Sequence, residues 1–399
     1  MTEIKSPLPR VAIIGAGVTG LLLAHGLQKN GFRVTVYDKE TRIGEKTREW
    51  TMLLHWALPT LQKMLPPSVL DGLRPAYTDP FYPYDQEKES IPYYNGTTGQ
   101  IVFHTPVVAR RLSRTRLRTI CAAGLDVQFG RTFTSLEMGE EAGPVTIRFL
   151  EGVTAEADIV IGADGANSKV RGWLIGEEAA RSVRTEYAIS NCIVRYATAE
   201  IALAVRAPHP VFSLASLPGG VIFSGIQNVI DPDDPTTWSF HISRVWKGPV
   251  TACEGEEAIA LAKTATVDFD ICEPFRTAIQ AIPADANVFV TQLSYWPTVP
   301  WDNRRGRVTL AGDAAHSILP TRAQGLNEAL NDVDQILTRF MKIKEEGITV
   351  QDALRVYEDD VFVRGRKAAL SSVEDTRALT QVRDMQSTPQ ARSGFTKAT

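Results

Sequence analysis

The chain has 399 residues, 44% of them hydrophobic and 22% charged, with a formal net charge of −3. This is the make-up of a folded globular protein, and the length suits one large composite domain or two. Charges of both signs are spread along the chain without a basic stripe, which argues against a nucleic-acid partner. The four cysteines, Cys121, Cys192, Cys253 and Cys272, form no CxxC pair, so neither a disulfide framework nor a cysteine zinc site is indicated. The six histidines show no HExxH spacing, and no metal is expected.

Residues Met1 to Arg10 carry Pro7 and Pro9 and no apolar run, unlike a secretory signal. Val11-Ala-Ile-Ile14 then reads as a buried parallel strand, Leu21 to Gly31 as a helix ended by glycine, and Arg33-Val-Thr-Val-Tyr-Asp38 as a second strand. The apolar stretch Val11 to Leu27 is broken by Gly15, Gly17, Gly20 and His25, so it is not read as a membrane span. A cytoplasmic protein without a transmembrane segment is the expectation.

The turn inside this βαβ unit is Gly15-Ala-Gly17-Val-Thr19-Gly20, a G-x-G-x-x-G pattern. Gly15 permits a tight turn, Gly17 lets the backbone approach a pyrophosphate, and Gly20 lets helix and strand pack closely. Asp38 ends the second strand 23 residues after Gly15, where an acid accepts hydrogen bonds from a ribose. The pattern predicts a dinucleotide site with Gly15, Gly17, Thr19, Gly20 and Asp38 in it. It does not separate FAD from NAD.

From Thr41 to Thr105 prolines and aromatics cluster, as in loops and edge strands outside a Rossmann core. Arg111 to Ala123 has helical spacing, and Asp158-Ile-Val-Ile-Gly162 reads as another buried strand. Several segments between about 185 and 300 alternate apolar and polar residues, which predicts an antiparallel sheet. Arg307-Val-Thr-Leu-Ala311 returns to the buried-strand pattern. A one-faced helix from Leu326 to Met341 and a helix over Val350 to Leu379 follow.

Two further motifs carry a family resemblance. Asp158-Ile-Val-Ile-Gly-Ala-Asp164-Gly165-Ala-Asn-Ser-Lys-Val-Arg171 and Gly306-Arg-Val-Thr-Leu-Ala-Gly312-Asp313-Ala-Ala-His316 resemble the second and third fingerprints of the flavoprotein aromatic hydroxylases, the group named for para-hydroxybenzoate and salicylate hydroxylases. With the first motif, the resemblance runs from residue 11 to about 340 and is weakest between 180 and 290. It implies an α/β fold in which a Rossmann-like FAD-binding domain is interleaved with a smaller antiparallel-sheet substrate domain. The expected division is 1–44, 105–184 and 300–385 for FAD, 45–104 and 185–299 for substrate, and 386–399 as a flexible tail.

The resemblance also implies roles. Asp313 would accept hydrogen bonds from the ribityl chain, Gly312 would form its turn, and Asp164 would help hold FAD. Pro320-Thr-Arg-Ala-Gln-Gly325-Leu326-Asn327 opens the long helix, whose N–H groups would face the flavin pyrimidine. Arg114 resembles the family arginine near the pyrophosphate. Arg48 suits a contact to FAD or NAD(P)H, or a surface ion pair.

The implied chemistry is monooxygenation with NAD(P)H and O₂ through a flavin C4a-hydroperoxide, hydroxylating or epoxidising a small, largely apolar or aromatic molecule. Secondary metabolism would suit such a substrate, and the protein is expected as a monomer or homodimer. Because the cofactor does the hard chemistry, the protein must exclude water and orient the substrate. Trp50, His55, Trp56, Phe223, Tyr295 and Trp296 lie in the segments expected to do so. Arg195, 31 residues after Asp164, is the candidate for stabilising a developing anion, with Glu49 a second catalytic candidate. His316 reads as a packed or capping histidine. Two rivals remain: an FAD-scaffold cyclase or isomerase, and a halogenase, although Tyr295-Trp-Pro-Thr-Val-Pro-Trp301 lacks the usual W-x-W-x-I-P.

Overall fold

The computed structural model describes residues 7–45, 48–84, 90–106, 109–140, 143–264, 270–381, 386, 388, 391–392 and 394. Most of the segment 386–399, expected as a tail, lies outside the described residues. The chain opens with β1 (Arg10–Ile14), α1 (Val18–Lys29) and β2 (Arg33–Tyr37), then β3 (Thr51–Leu54), α2 (Leu58–Met64) and α3 (Pro67–Asp71). Next come β4 (Ser90–Asn95), β5 (Ile101–Pro106), β6 (Arg110–Ser113), α4 (Arg114–Ala122) and β7 (Val127–Gln128). β8 (Phe133–Met138), β9 (Val145–Phe149), β10 (Thr154–Ala157), β11 (Ile159–Gly162) and α5 (Lys169–Ile175) follow. The middle of the chain forms β12 (Val183–Val194), α6 (Ala199–Arg206), β13 (Phe212–Leu217), β14 (Gly220–Asn228), β15 (Ser239–Lys247) and β16 (Cys253–Glu254). It closes with α7 (Glu256–Thr264), α8 (Phe275–Gln280), β17 (Asn287–Tyr295), β18 (Val308–Leu310), α9 (Gly325–Glu346) and α10 (Val350–Leu379).

Two main sheets organise these elements. The first is parallel and five-stranded, in the order β18-β11-β1-β2-β7. Its central strands are covered on both faces, which is why Ile13 and Val160 are wholly buried and the strands read as unbroken apolar runs. The helices α1 and α9 pack closely at Gly26, where an added Cβ would stand 2.2 Å from a Leu337 methyl.

The second sheet has eight strands, ordered β16-β17-β12-β15-β14-β13-β4-β5. Its pairings are antiparallel except that β4 runs parallel to β13, because β4 enters from a distant part of the chain. A separate three-stranded antiparallel sheet, β8-β9-β10, was not anticipated from the sequence.

One boundary differs instructively. The helix expected from Arg111 starts at Arg114, because Arg110–Ser113 forms β6 against β3. Ser113 caps the helix, accepting the Arg116 N–H at 3.2 Å.

Candidate functional site

The glycine turn has the geometry its sequence implied. Gly15 has φ +112°, and an added Cβ would lie 2.4 Å from the Ala163 carbonyl oxygen. A Cβ on Gly20 would lie 2.1 Å from the Gly15 carbonyl, so only glycine lets α1 sit this close to β1. Gly17 meets nothing nearer than 3.8 Å and leaves its backbone open. Among the described residues no side chain caps α1, so its first N–H groups remain for an anion.

Asp38 stands at the end of β2 and braces the turn. Its carboxylate accepts the Ala16 N–H at 2.6 Å and the Glu40 N–H at 2.8 Å. Two oxygens offer about four acceptor positions, which leaves capacity for ribose hydroxyls. Glu40 and Arg118 were missed by sequence reasoning. Buried Arg118 binds the Ala16 carbonyl at 2.8 Å and Glu40 at 3.0 Å, joining α4 to the glycine turn.

Arg114 begins α4, four residues before Arg118. Its guanidinium lies 4.5 Å over the Trp50 ring and donates no side-chain hydrogen bond among the described residues. Burial and the nearby charge of Arg118 pull its pKa down, while Glu40, Glu49 and Asp38 oppose this. The same cation bears on Asp313 from the other side. A cation lacking a hydrogen-bonded counter-ion, between a ribose-type acid and Asp313, fits a pyrophosphate.

Gly312 adopts φ +62° and packs on Thr19, whose Oγ1 would lie 2.5 Å from an added Cβ. Thr19 therefore acts by joining the first and third motifs. Exposed Asp313 faces a half-open cavity; surrounding protein raises its pKa, against the pull of His316 and Arg114. Behind this turn, buried Asp332 accepts the Gly312 N–H at 2.7 Å and pairs with His316 at 2.6 Å. His316 is thus a packed histidine.

Other expected contacts are spent within the fold. The Asp164 carboxylate caps α5, accepting from the Ser168 hydroxyl at 2.5 Å and the Lys169 N–H at 2.6 Å. Asn327 is fully buried and ties α9 to the segment after β3, accepting the His55 N–H at 3.0 Å and donating to the Leu53 carbonyl at 2.9 Å. Its side chain is committed to that brace. Gly325, with nothing within 4 Å of an added Cβ, and half-buried Leu326 open α9, which has no side-chain cap.

A cavity of about 430 Å³ runs from Asp313 and Ala166 to the face of the eight-stranded sheet. Its walls include Trp50, Leu53, Tyr93, Phe212, Phe223 and Val245. Of the expected aromatics, Trp50 and Phe223 line it. His55 and Trp56 instead hold the entry to α9, reaching the Ala323 carbonyl at 3.2 Å and Gln324 at 2.8 Å. Trp296 is core, donating to the Ala179 carbonyl at 2.9 Å, and Tyr295 packs partly buried beside the cavity's apolar cluster.

Both catalytic candidates need correction. Arg195 lies just past β12, is exposed, and donates to the Thr236 carbonyl at 2.6 Å. It does not line the cavity. Glu49 accepts the N–H groups of Arg114 and Thr115 at 3.1 and 3.3 Å, so it caps α4 rather than serving as an acid. Arg48 forms the surface ion pair, bonding Glu254 at 2.7 Å. Polar residues that do face the cavity include Arg111, Asn191, His241 and Thr51, and nothing in the sequence beyond alternation marked them.

Among the described residues no cluster of His, Cys, Asp or Glu is placed to hold a metal, and no helix is long and apolar enough to cross a membrane. Comparison with known proteins agrees with the geometry. Residues 110–369 match an FAD binding domain and residues 13–58 an NAD(P)-binding Rossmann-like domain. The chain is 34% identical to the FAD-dependent monooxygenase phnB of Penicillium herquei, covering 98% of this chain and 96% of that one. It is 30% identical to the FAD-dependent monooxygenase cctM of Talaromyces islandicus, over 97% and 96%. In fold it is similar to 2,6-dihydroxypyridine-3-hydroxylase from Arthrobacter nicotinovorans, with TM-score 0.74, 19% identity and 94% of each chain covered. These matches favour neither the cyclase nor the halogenase alternative. The chain belongs to the FAD-dependent monooxygenases, with FAD as its cofactor.

Proposed function

We propose that this enzyme uses NAD(P)H and O₂ to place one oxygen atom on a small, largely apolar or aromatic molecule, by hydroxylation or epoxidation, in the cytoplasm. The observation that carries this reading is the cavity itself, which joins Asp313 at one end to an aromatic-walled sheet face at the other. Bound FAD supplies the electron transfer and oxygen activation.

The chain's own part is to hold and to shield. The α1 N-terminus and Arg114 would take the pyrophosphate, Asp38 the adenosine ribose, Asp313 the ribityl chain, and the α9 N-terminus the flavin pyrimidine. The apolar walls keep water from the reacting centre, which favours oxygen transfer over unproductive peroxide release. In this arrangement 1–44, 105–184 and 300–385 hold the flavin, and 45–104 with 185–299 hold the substrate.

The test is a screen of aromatic compounds with the FAD-loaded enzyme, following NADPH oxidation, O₂ uptake and product mass. Substrate-stimulated turnover with a product heavier by one oxygen atom supports the reading. Turnover that yields product of unchanged mass overturns it.

A further inference from the structure

The polar end of the cavity is built around one arginine. Arg111 comes from β6, yet its guanidinium reaches across to β14 and β15 of the eight-stranded sheet. Only 2% of the residue is exposed. One terminal nitrogen donates to the Thr51 hydroxyl and, at 3.2 Å, to His241 Nδ1. The charge lies 4.1 Å over the Phe223 ring and 5.5 Å from Phe212. Among the described residues its buried Nε has no hydrogen-bond partner. Among the described residues no carboxylate bears on it; the ionisable side chains that do are Tyr84 and His241.

His241 is a neutral partner. Its Nδ1 receives the arginine proton, so its Nε2–H donates to Asn191 Oδ1 at 2.9 Å. Burial, reinforced by the charge of Arg111, pushes its pKa well below the ordinary histidine value. Thr51, His241 and Asn191 therefore orient the guanidinium without cancelling its charge. Burying an ionised group without a counter-charge costs several kcal/mol, so such a site is completed by an anion.

We propose that Arg111 is the specificity-determining residue of the cavity and binds an ionised oxygen, a phenolate or a carboxylate, on an aromatic substrate. This rests on the monooxygenase reading of the same cavity. Rings of Phe223 and Phe212 beside the cation would hold the flat body of the ligand while the fork holds its oxyanion. Arg111 thus takes the place that the sequence suggested for Arg195.

The test measures binding to the FAD-loaded enzyme through perturbation of flavin absorption. The probes are 2-naphthoate, 2-naphthol and neutral 2-methoxynaphthalene. The wild type is expected to bind at least one ionisable probe about 10-fold or more tighter than the ether, the worth of a charged hydrogen bond. Preference for 2-naphthoate alone identifies a carboxylate site, and preference for 2-naphthol a phenolate site. Arg111→Met should reduce the preferred probe to the level of the ether with FAD content unchanged, while Arg111→Lys keeps part of the preference.

A wild type that binds the ether as tightly as both ionisable probes overturns the inference, and needs no variant to show it. Loss of FAD on Arg111→Met with folding intact also overturns it, because the cation would then serve the flavin. Either result leaves oxygen transfer, read separately by product mass, untouched.

Discussion

Asp332 accepts the Gly312 N–H at 2.7 Å with the same carboxylate oxygen that meets His316 Nε2 at 2.6 Å. The turn that presents Asp313 to the cavity is therefore held from behind by a buried charge. The other Asp332 oxygen takes Arg364 at 2.6 Å, and Arg364 also binds Glu328 and Asp360 at 2.8 and 2.9 Å.

Asp332→Asn should destabilise the protein by about 3 kcal/mol, because it strips a buried cation of one counter-charge. Burial opposes the charged form of His316, but Asp332 outweighs it and raises the pKa. A raised histidine stabilises fully below its unfolded value, and that part is lost as pH rises through the folded pKa. Denaturant titrations across that range should show the slope in the wild type and a reduced one in Asp332→Asn, together with weaker FAD binding.

Glu358 gives a second pH signature. Burial pushes its pKa up to about 7, although Thr309, Asn303 and Trp301 all donate to it. The folded protein then keeps a proton that the unfolded chain releases, so stability falls from the ordinary carboxylate range up to about 7 and is level above. The fall is at most ~3 kcal/mol. Glu358→Gln should flatten it in melting temperatures taken over the same range.

Arg114→Ala should weaken FAD binding by about 10- to 100-fold, as expected for loss of a charged hydrogen bond. Titration of the apoprotein with FAD, read by flavin fluorescence, measures this. Unchanged affinity would remove Arg114 from the pyrophosphate site.

Gly312→Ala should cost about 2 kcal/mol, since φ +62° disfavours a Cβ and Thr19 Oγ1 would stand only 2.5 Å away. Thr19→Ala in the same chain should recover about 1 kcal/mol in a double-mutant cycle. Gly15→Ala admits no such rescue, because its Cβ would meet the Ala163 backbone carbonyl at 2.4 Å.

Arg195→Ala should change kcat/KM by no more than about twofold, as for other surface substitutions. Glu49→Ala should lower stability by about 1 kcal/mol through loss of the α4 cap, while the ratio of product to NADPH consumed stays constant. A collapse of that ratio in either variant would restore it as a catalytic residue.

The sequence by itself determined the parallel core and the glycine turns at its strand ends. Gly15 and Gly312 have positive φ and Gly20 packs on the Gly15 carbonyl, and such backbone geometry is written in local sequence. Buried strands such as Val11–Ile14 declared themselves because both faces of a parallel sheet are covered. Tertiary structure alone decided which polar side chains face the cavity. Arg111 lies in β6 and Arg195 just past β12, and nothing local says that one points into a cavity and the other into solvent. That depends on β6 meeting the sheet face across residues 111 and 241, and on β12 ending at Val194. Likewise Glu49 and Asn327 look available in the sequence. Only the fold shows their oxygens already taken by the N–H groups of Arg114 and His55.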